Sequence, residues 1–212
     1  MLSKLALVYR GSRDGQNSKD FHSNCDGISK TLTLIKTSNG NIFGGYTAQA
    51  WSSNDENVAD PNAFIFSLVN KDKRPFKAMC LNGGKNAIGC YEDCGPIFGV
   101  DVDSEEESNG NSNREADYED GESESEHESE SESEHESESE SDTFSESDSE
   151  DDSEESVGSY DDICISSNFE SYRNVSHFGN RYKHPDYKTN SILAGACRFH
   201  VSEIEVYTVI NF

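Results

Sequence analysis

Residues 30–50, KTLTLIKTSNGNIFGGYTAQA, contain two runs rich in β-branched and aromatic side chains around a turn. The first run, residues 30–37, predicts a strand, SNGN predicts a tight turn, and IFGGYTAQA predicts the return strand. The pair Gly44-Gly45 interrupts this return strand, which predicts either a bulge or close packing by a neighbouring chain segment. The stretch therefore predicts an antiparallel β-hairpin.

Further runs of strand-like composition follow the hairpin. Residues 203–210 alternate Glu203, Glu205 and Tyr207 with mostly apolar neighbours, as a strand with one wet face does. Many short strands and few helical patterns predict a mainly β (α+β) fold, a two-sheet antiparallel β-sandwich flanked by a few short helices. The other predicted strands are residues 62–70, 76–81, 86–91 and 162–169.

The charges divide the chain into an acidic segment and a nearly neutral body. The 212 residues have a formal net charge of -25, and residues 101–156 alone hold 27 acidic side chains and one base. The unit HESESES followed by an acid begins at His127 and again at His135. Such a composition cannot offset the entropy of ordering, so residues 100–157 are predicted to be a disordered Ser/Glu/Asp-rich insertion.

Strand-like sequence resumes after the acidic segment, so this segment interrupts the body and does not end it. Closing a loop of about 56 residues instead of about six costs roughly 2 kcal/mol. A domain with a stability of about 5–15 kcal/mol tolerates that cost. Residues 1–99 and 158–212 are therefore predicted to form one discontinuous domain.

Serines in the acidic segment stand in the pattern that an acidophilic kinase prefers, with an acid three residues on. Each phosphate would add roughly -1.5 to -2 charges, so such a kinase is a predicted partner. The plainer interpretation of the segment is a solvated spacer. Binding of nucleic acid is disfavoured, because the segment would repel phosphates. The candidate phosphorylation sites are Ser104, Ser125, Ser129 and Ser133.

The stretch YRGSRDGQNSKDFHSNCDG, which begins at Tyr9, contains the side-chain types of nucleophilic catalysis. The same residues account for a turn and a short helix, because Asn17 or Ser18 can cap the helix and Phe21 and Cys25 share one of its faces. The Gly-x-Ser-x-Gly motif of a nucleophile elbow is absent from the sequence. Structural roles are therefore favoured, and no catalytic residue is predicted.

An enzyme is the alternative hypothesis, either a hydrolase or a thiol-based redox protein that uses Cys25 with His22. A zinc site from His22-x-x-Cys25 and Cys197-x-x-His200 is disfavoured, because the last two side chains face opposite ways in a strand. The cysteines form no paired motif that would complete such a site. Neither a metal nor another cofactor is predicted.

The sequence contains no targeting or membrane-spanning signal. The start, MLSKLALVYRGS, has too short an apolar run for a signal peptide, and no stretch approaches the length of a membrane span. The six cysteines are then expected to be reduced and to serve mostly as small core residues. We expect a cytoplasmic monomer with no integral membrane segment.

Several strings, in this order, resemble the TLDc domain family. They are LALVYRGSRDGQNSKDFHSNCDG, TLTLIKTSNGNIFGGYT, the tryptophan Trp51, DPNAFIFSL, GPIFG, DICIS, HFGN and EIEVYTV, and they span the body from Leu5 to Val209. The resemblance implies a β-sandwich of two antiparallel sheets flanked by a few helices, with no established catalytic residues. The signature residues in this sequence are Arg13, Asp14, Gly15, Phe21, His22, Cys25, Gly44 and Gly45.

The resemblance also implies a function. Members of the family are linked to oxidative-stress resistance and to binding the vacuolar-type proton pump (V-ATPase). We therefore expect a non-enzymatic protein-interaction domain that binds peripheral subunits of the V-ATPase, with a polyanionic regulatory loop, in the cytoplasm at the periphery of endolysosomal membranes. The sequence starts almost at the LVYR strand, so the N-terminal element that usually precedes it is expected to be missing. A truncated, non-functional TLDc fragment is thus a third hypothesis.

Overall fold

In the residues that it describes, a computed structural model of the protein shows a sandwich of two antiparallel sheets with two short α-helices beside it. The structure describes residues 3–101, 160–184, 186 and 189–211. The predicted mainly β fold class is confirmed. Residues 102–157 of the predicted disordered insertion, including its candidate phosphorylation sites, lie outside the described residues. The first two residues of the predicted insertion are described: Val100 is buried, and the Asp101 N–H donates to the Asp161 carboxylate at 2.7 Å.

The helices α1 (Gly11–Asp14) and α2 (Ser18–Cys25) follow the first strand. In the described part of the chain the strands are β1 (Ser3–Arg10), β2 (Thr31–Thr37), β3 (Ile42–Thr47), β4 (Glu56–Val58), β5 (Phe64–Val69), β6 (Phe76–Met79), β7 (Ile88–Cys90), β8 (Ile97–Phe98), β9 (Ile163–Cys164), β10 (Asn174–Val175), β11 (Arg198–Phe199) and β12 (Val201–Asn211).

The first sheet has the strand order β1-β12-β2-β3-β5-β6. The predicted hairpin lies at its centre, where β2 pairs with β3 from Thr31 opposite Thr47 to Lys36 opposite Ile42. The long strand β12, which follows the acidic segment in sequence, lies between β1 and β2. Strands from both sides of the acidic segment therefore complete this sheet.

The second sheet has the order β11-β10-β9-β8-β7-β4 and also joins the two sides of the acidic segment. Ile97 of β8 pairs with Cys164 of β9, and the Asp162 N–H donates to the Gly99 carbonyl at 3.2 Å. Gly158 lies outside the described residues. Pairing across the insertion is thus observed, whereas the exact domain boundaries, 1–99 and 158–212, stay a prediction.

One predicted strand is much shorter than expected. Of residues 162–169, only Ile163–Cys164 form a strand. At Ser166 the backbone N–H donates to the Asn174 side chain at 3.1 Å instead of to a neighbouring strand. A side-chain acceptor therefore replaces the ladder hydrogen bond and ends the strand.

The core lies between the two sheets and is rich in aromatic rings. Trp51 is buried, and its ring contacts those of Phe21 and Phe98 edge-on at 5.3 and 5.7 Å. Its indole N–H donates to the Thr31 hydroxyl at 2.9 Å, so the one polar atom of the ring is satisfied. Burial of each large aromatic side chain stabilises the fold by roughly 2–3 kcal/mol.

Candidate functional site

The stretch that begins at Tyr9 forms a compact turn whose polar groups bond to one another. The Tyr9 hydroxyl donates to the Gly15 carbonyl at 2.5 Å, and the Arg10 N–H donates to the Asp14 carboxylate at 2.9 Å. The Arg13 guanidinium donates to the same carboxylate at 2.7 and 2.6 Å. These bonds, from Arg13 first and from the Arg10 N–H second, lower the pKa of Asp14. The signature pair Arg13 and Asp14 thus braces the turn.

Gly15 and Asn17 connect the turn to α2. Gly15 has a φ of 112°, and a Cβ there would lie 1.9 Å from an Asp20 carboxylate oxygen, so only glycine fits. The Asn17 side chain accepts from the Asp20 N–H at 3.0 Å and caps the helix. Of the two predicted caps, Ser18 was wrong, because it is already the first helical residue and its N–H donates to the Ser167 carbonyl.

Phe21 and Cys25 are both fully buried, as their spacing of four residues predicts. The Phe21 ring lies edge-on to Tyr9 at 6.0 Å. Burial raises the pKa of the Cys25 thiol, and the charge of Asp26 raises it further. A nucleophilic or redox-active cysteine needs an accessible thiolate, which this environment disfavours.

His22 connects α2 to the loop that follows β7. Its Nδ1 lies 2.7 Å from an Asp26 carboxylate oxygen, and its Nε2 lies 2.9 Å from the Tyr91 carbonyl oxygen and 3.0 Å from that of Cys94. The ring nitrogens therefore contact these oxygens and not the Cys25 sulfur. This arrangement explains a signature histidine as a clamp between helix and loop, and it does not form the nucleophile–base pair of a thiol enzyme.

The signature pair Gly44-Gly45 is a site of close packing, one of the two predicted alternatives. A Cβ at Gly45 would lie 2.4 Å from the Phe98 ring, and a Cβ at Gly44 would lie 1.9 Å from the Thr33 carbonyl oxygen. The Phe66 ring also comes within 3.1 Å of that second position. The register shift in the pairing of β3 with β5 falls before the two glycines. The pair thus admits a ring on each face of the sheet.

A buried carboxylate that sequence reasoning missed organises the HFGN string. Asp162 is fully buried, and its Oδ1 accepts from the N–H groups of Gly179 and Asn180 at 2.7 and 3.2 Å. Its Oδ2 accepts from those of Arg181 and Tyr182 at 2.6 and 3.1 Å. One side chain of the DICIS string therefore folds the loop that contains HFGN. The available signal was an acid directly before an apolar strand.

Two opposing effects act on the pKa of Asp162. Burial raises the pKa of this carboxyl group to about 7, and the four backbone hydrogen bonds oppose the rise. Gly99 has a φ of 72°, and a Cβ there would lie 2.2 Å from an Asp162 oxygen. Gly99 of the GPIFG string is thus required for the same carboxylate to fit.

An open cavity of about 960 Å³ lies beside this loop. The Tyr160 ring packs on His177 at 5.2 Å, and within the described residues the His177 Nδ1 is buried without a hydrogen-bond partner. The lining groups can form hydrogen bonds to a ligand, and those among the described residues include no Ser, Thr or Cys nucleophile. The cavity is lined by Leu81, Asp101, Tyr160, His177, Phe178, Gly179, Asn180, Lys183, His184 and Asn190.

The two histidines of the disfavoured zinc site, His22 and His200, contact different parts of the protein. The His200 Nδ1 lies 3.0 Å from the Glu170 carbonyl oxygen, whereas His22 contacts the loop after β7. Across residues 3–101 and the described part of 160–211, no three His, Cys, Asp or Glu side chains are grouped so that they could hold a metal ion. In the same ranges, no helix has the length and apolar character needed to cross a membrane.

Comparison with known families gives a family match for the chain. No curated protein gives a significant match to the chain. The profile of the TLDc domain matches residues 2–150, a span that contains β1 to β8, both helices and the central hairpin, while β9 to β12 follow it. TLDc domains are regarded as non-enzymatic protein-interaction domains. Because this match covers well over half of the sequence, the chain belongs to the TLDc domain family.

Proposed function

We propose that this chain is a non-enzymatic, monomeric interaction domain that binds peripheral subunits of the V-ATPase and contributes to oxidative-stress resistance. Its place is the cytoplasm, at the periphery of endolysosomal membranes. The observation that carries the proposal is the TLDc match over residues 2–150. The structural use of the catalytic-type side chains supports it, since His22 clamps a loop and Cys25 is buried in the core.

A pull-down with purified peripheral V-ATPase subunits tests the partner. The full chain should enrich these subunits at about 50 mM salt, and no enrichment at that salt concentration would count against the proposal. The polyanionic segment has 27 acidic residues and one basic residue, and its charge is proposed to change the affinity for these subunits.

A matched control replaces residues 104–155 with a short Gly/Ser linker. Binding by the full chain should change steeply between about 50 and 300 mM salt, because charges interact over about 10 Å at 0.1 M salt and over less at higher salt. Binding by the linker variant should change little. An equal salt dependence of the two proteins would remove the acidic segment from the proposal and leave the partner in place.

Phosphorylation by an acidophilic kinase is proposed to strengthen the charge of the segment. Incubation of the purified chain with such a kinase, followed by mass spectrometry, should locate phosphate on the four candidate sites. A variant with alanine at all four should lose the modification. Phosphate found only at other serines would contradict this assignment. The sites are Ser104, Ser125, Ser129 and Ser133.

The Cys25→Ala variant separates the interaction domain from the thiol enzyme. We expect unchanged peroxide consumption and a loss of about 1–2 kcal/mol in the free energy of unfolding, because Cys25 is a core residue. Cys197→Ala, at a half-buried position, is the matched control. Loss of peroxide consumption with an intact fold would favour the enzyme. A melt without a cooperative transition would favour the non-functional fragment.

A further inference from the structure

A row of apolar side chains crosses the entire first sheet on one face. The strand pairings place one such residue of each strand directly opposite the next, from the β1 edge to the β6 edge. We name these residues the outer row. They are Leu7, Tyr207, Leu32, Tyr46, Phe64 and Met79.

The outer row lies on the side of the sheet away from the sandwich core. Along β5 and β6, Ile65 and Ala78 are buried in the core, and they alternate with Phe64 and Met79. Successive side chains of a strand point to opposite faces, so the outer row points away from the second sheet. Met79 is 45% exposed, and the other members of the outer row are half-buried.

Apolar residues extend this face on both sides of the outer row. Leu34 and Phe66 form a second row with Gly44 between them, and the Phe66 ring lies over the space that Gly44 leaves. On the other side, Leu5 is 48% exposed and pairs with Val209. An antiparallel sheet that faces water normally carries polar side chains at such positions. Contiguous apolar surface of this kind marks an interaction site.

Among the described residues, several side chains of this face contact one another. The Tyr46 and Phe64 rings stack with centroids 5.1 Å apart, and the Lys77 ammonium lies 3.7 Å from the Phe64 centroid. The Tyr207 hydroxyl donates to Glu205 at 2.6 Å. The side chains are thus held in place by their neighbours, which favours a preformed surface.

We infer that the outer row is the docking site for an amphipathic α-helix of a partner protein. This inference rests on the proposed function as an interaction domain and adds the surface and the kind of partner. Six strands about 4.8 Å apart give a row about 24 Å long, which a helix of about 16 residues spans. One helical turn rises about 5.4 Å, so one apolar side chain per turn can follow the row.

The charged residues beside the outer row indicate which charge the docked helix carries on its flank. Glu205 is bonded to Arg10 at 2.6 Å, and Glu203 accepts from the Ser12 hydroxyl at 2.5 Å, so the acids of this face are already engaged. Lys36 and Lys77 are exposed on the same side of the outer row. The docked helix therefore carries acidic residues on that side.

The test uses a fluorescein-labelled 18-residue peptide with leucines at helical spacing and glutamates along one flank. Its binding to the full chain is measured by fluorescence anisotropy. Met79→Glu should weaken binding at least tenfold, because it places a charge in the apolar row. Ile210→Glu is the matched control, since Ile210 is 38% exposed but three residues from Tyr207 along β12, on the opposite face. It should leave the affinity unchanged.

Charge reversal tests the same surface while every residue of the outer row keeps its identity. Lys77→Glu should weaken binding of the glutamate-flanked peptide several-fold and strengthen that of a lysine-flanked peptide. Lys19→Glu, an exposed position on α2, should do neither. Thermal melts of each variant establish that the fold is intact, and if Met79→Glu does not fold, the Lys77 pair still decides.

Two outcomes distinguish this inference from the proposed function, and two more test the assignment to the outer row and to a helix. Failure of the peptide to bind, with V-ATPase subunits still enriched, overturns the docking site alone. Peptide binding that follows the variants as expected, without V-ATPase enrichment, supports the docking site and overturns the proposed partner. Equal losses in Met79→Glu and Ile210→Glu overturn the assignment to the outer row. A dimer that Met79→Glu dissociates in sedimentation assigns the face to a second copy and overturns the helix.

Discussion

The two faces of the first sheet are made by the same strands but meet different surroundings. The inner face packs on the second sheet, where Gly45 makes room for the Phe98 ring. The outer face has the same apolar character, and Gly44 makes room there for Phe66, a residue of the same sheet. The inner face therefore stabilises the fold, whereas side chains of the outer face such as Met79 and Leu5 are exposed. Apolar character alone does not tell a core from a binding surface.

The largest expected effect separates the two faces directly. Phe98→Ala removes a fully buried ring between the sheets and should lower the free energy of unfolding by about 3–5 kcal/mol. Phe64→Ala, on the outer face, should cost about 1–2 kcal/mol, because that ring is only half-buried. Urea denaturation measures both values. Equal losses would mean that the outer face is as much a part of the core as the inner one.

A slightly smaller effect is expected at the glycine that serves the outer face. Gly44→Ala would place a Cβ 1.9 Å from the Thr33 carbonyl oxygen, a backbone atom that cannot move without its strand. We expect a loss of about 3 kcal/mol. Gly40→Ala provides the control at another glycine of the same hairpin, where a Cβ meets no atom within 4 Å but φ is 89°. A loss at Gly44 no larger than at Gly40 would refute the role of close packing.

Asp162 extends the comparison to the second sheet, where a fully buried carboxyl group accepts four backbone hydrogen bonds. The folded protein holds this proton up to pH about 7, whereas the unfolded chain loses it above its ordinary pKa of 3.8. The native state thus binds more protons between these values, and the free energy of unfolding falls as pH rises. The fall should be roughly 2–3 kcal/mol between pH 5 and 7.

Urea denaturation at pH 5, 6 and 7 checks this slope. Asp162→Asn should abolish the part that comes from this group while lowering stability at every pH, because the amide accepts fewer of the four N–H bonds. The same slope in the variant and the native protein would show that the Asp162 proton plays no part.

The smallest effect on stability is expected for Met79→Glu, the variant that should weaken binding of the peptide most. Met79→Glu, at an exposed position of the edge strand β6, should change the free energy of unfolding by less than about 0.5 kcal/mol. Differential scanning calorimetry measures this directly. A loss of several kcal/mol would place Met79 in the core and remove the distinction between the two faces.

Local patterns predicted much of the fold. The hairpin, the Asn17 cap and the buried pair of Phe21 and Cys25 each depend on residues only a few positions apart, so their physics is contained in a short stretch. The resemblance of scattered strings to the TLDc domain identified the family, although no single string explained the others. The wrong cap, Ser18, differs from the right one by a single position, which local preference alone does not resolve.

Long-range contacts account for what was missed. His22 meets carbonyl groups about 70 residues away along the chain, and Asp162 meets four N–H groups that lie beyond an intervening strand. The outer row depends on the register of five strand pairs at once. A shift of one residue in any pair would move its side chains to the other face, so composition cannot locate such a row.

The amino-acid sequence by itself determined the strand-rich character, the charge division and the family, because alternation, turn residues and acidic composition are local properties. Only the tertiary structure decided how Gly44 and Gly45 are used and which apolar face the second sheet covers. It also decided that His22 clamps a loop and does not activate a thiol. The physical reason is that burial and hydrogen-bond partners belong to pairs of distant segments, and neither member of a pair specifies them alone.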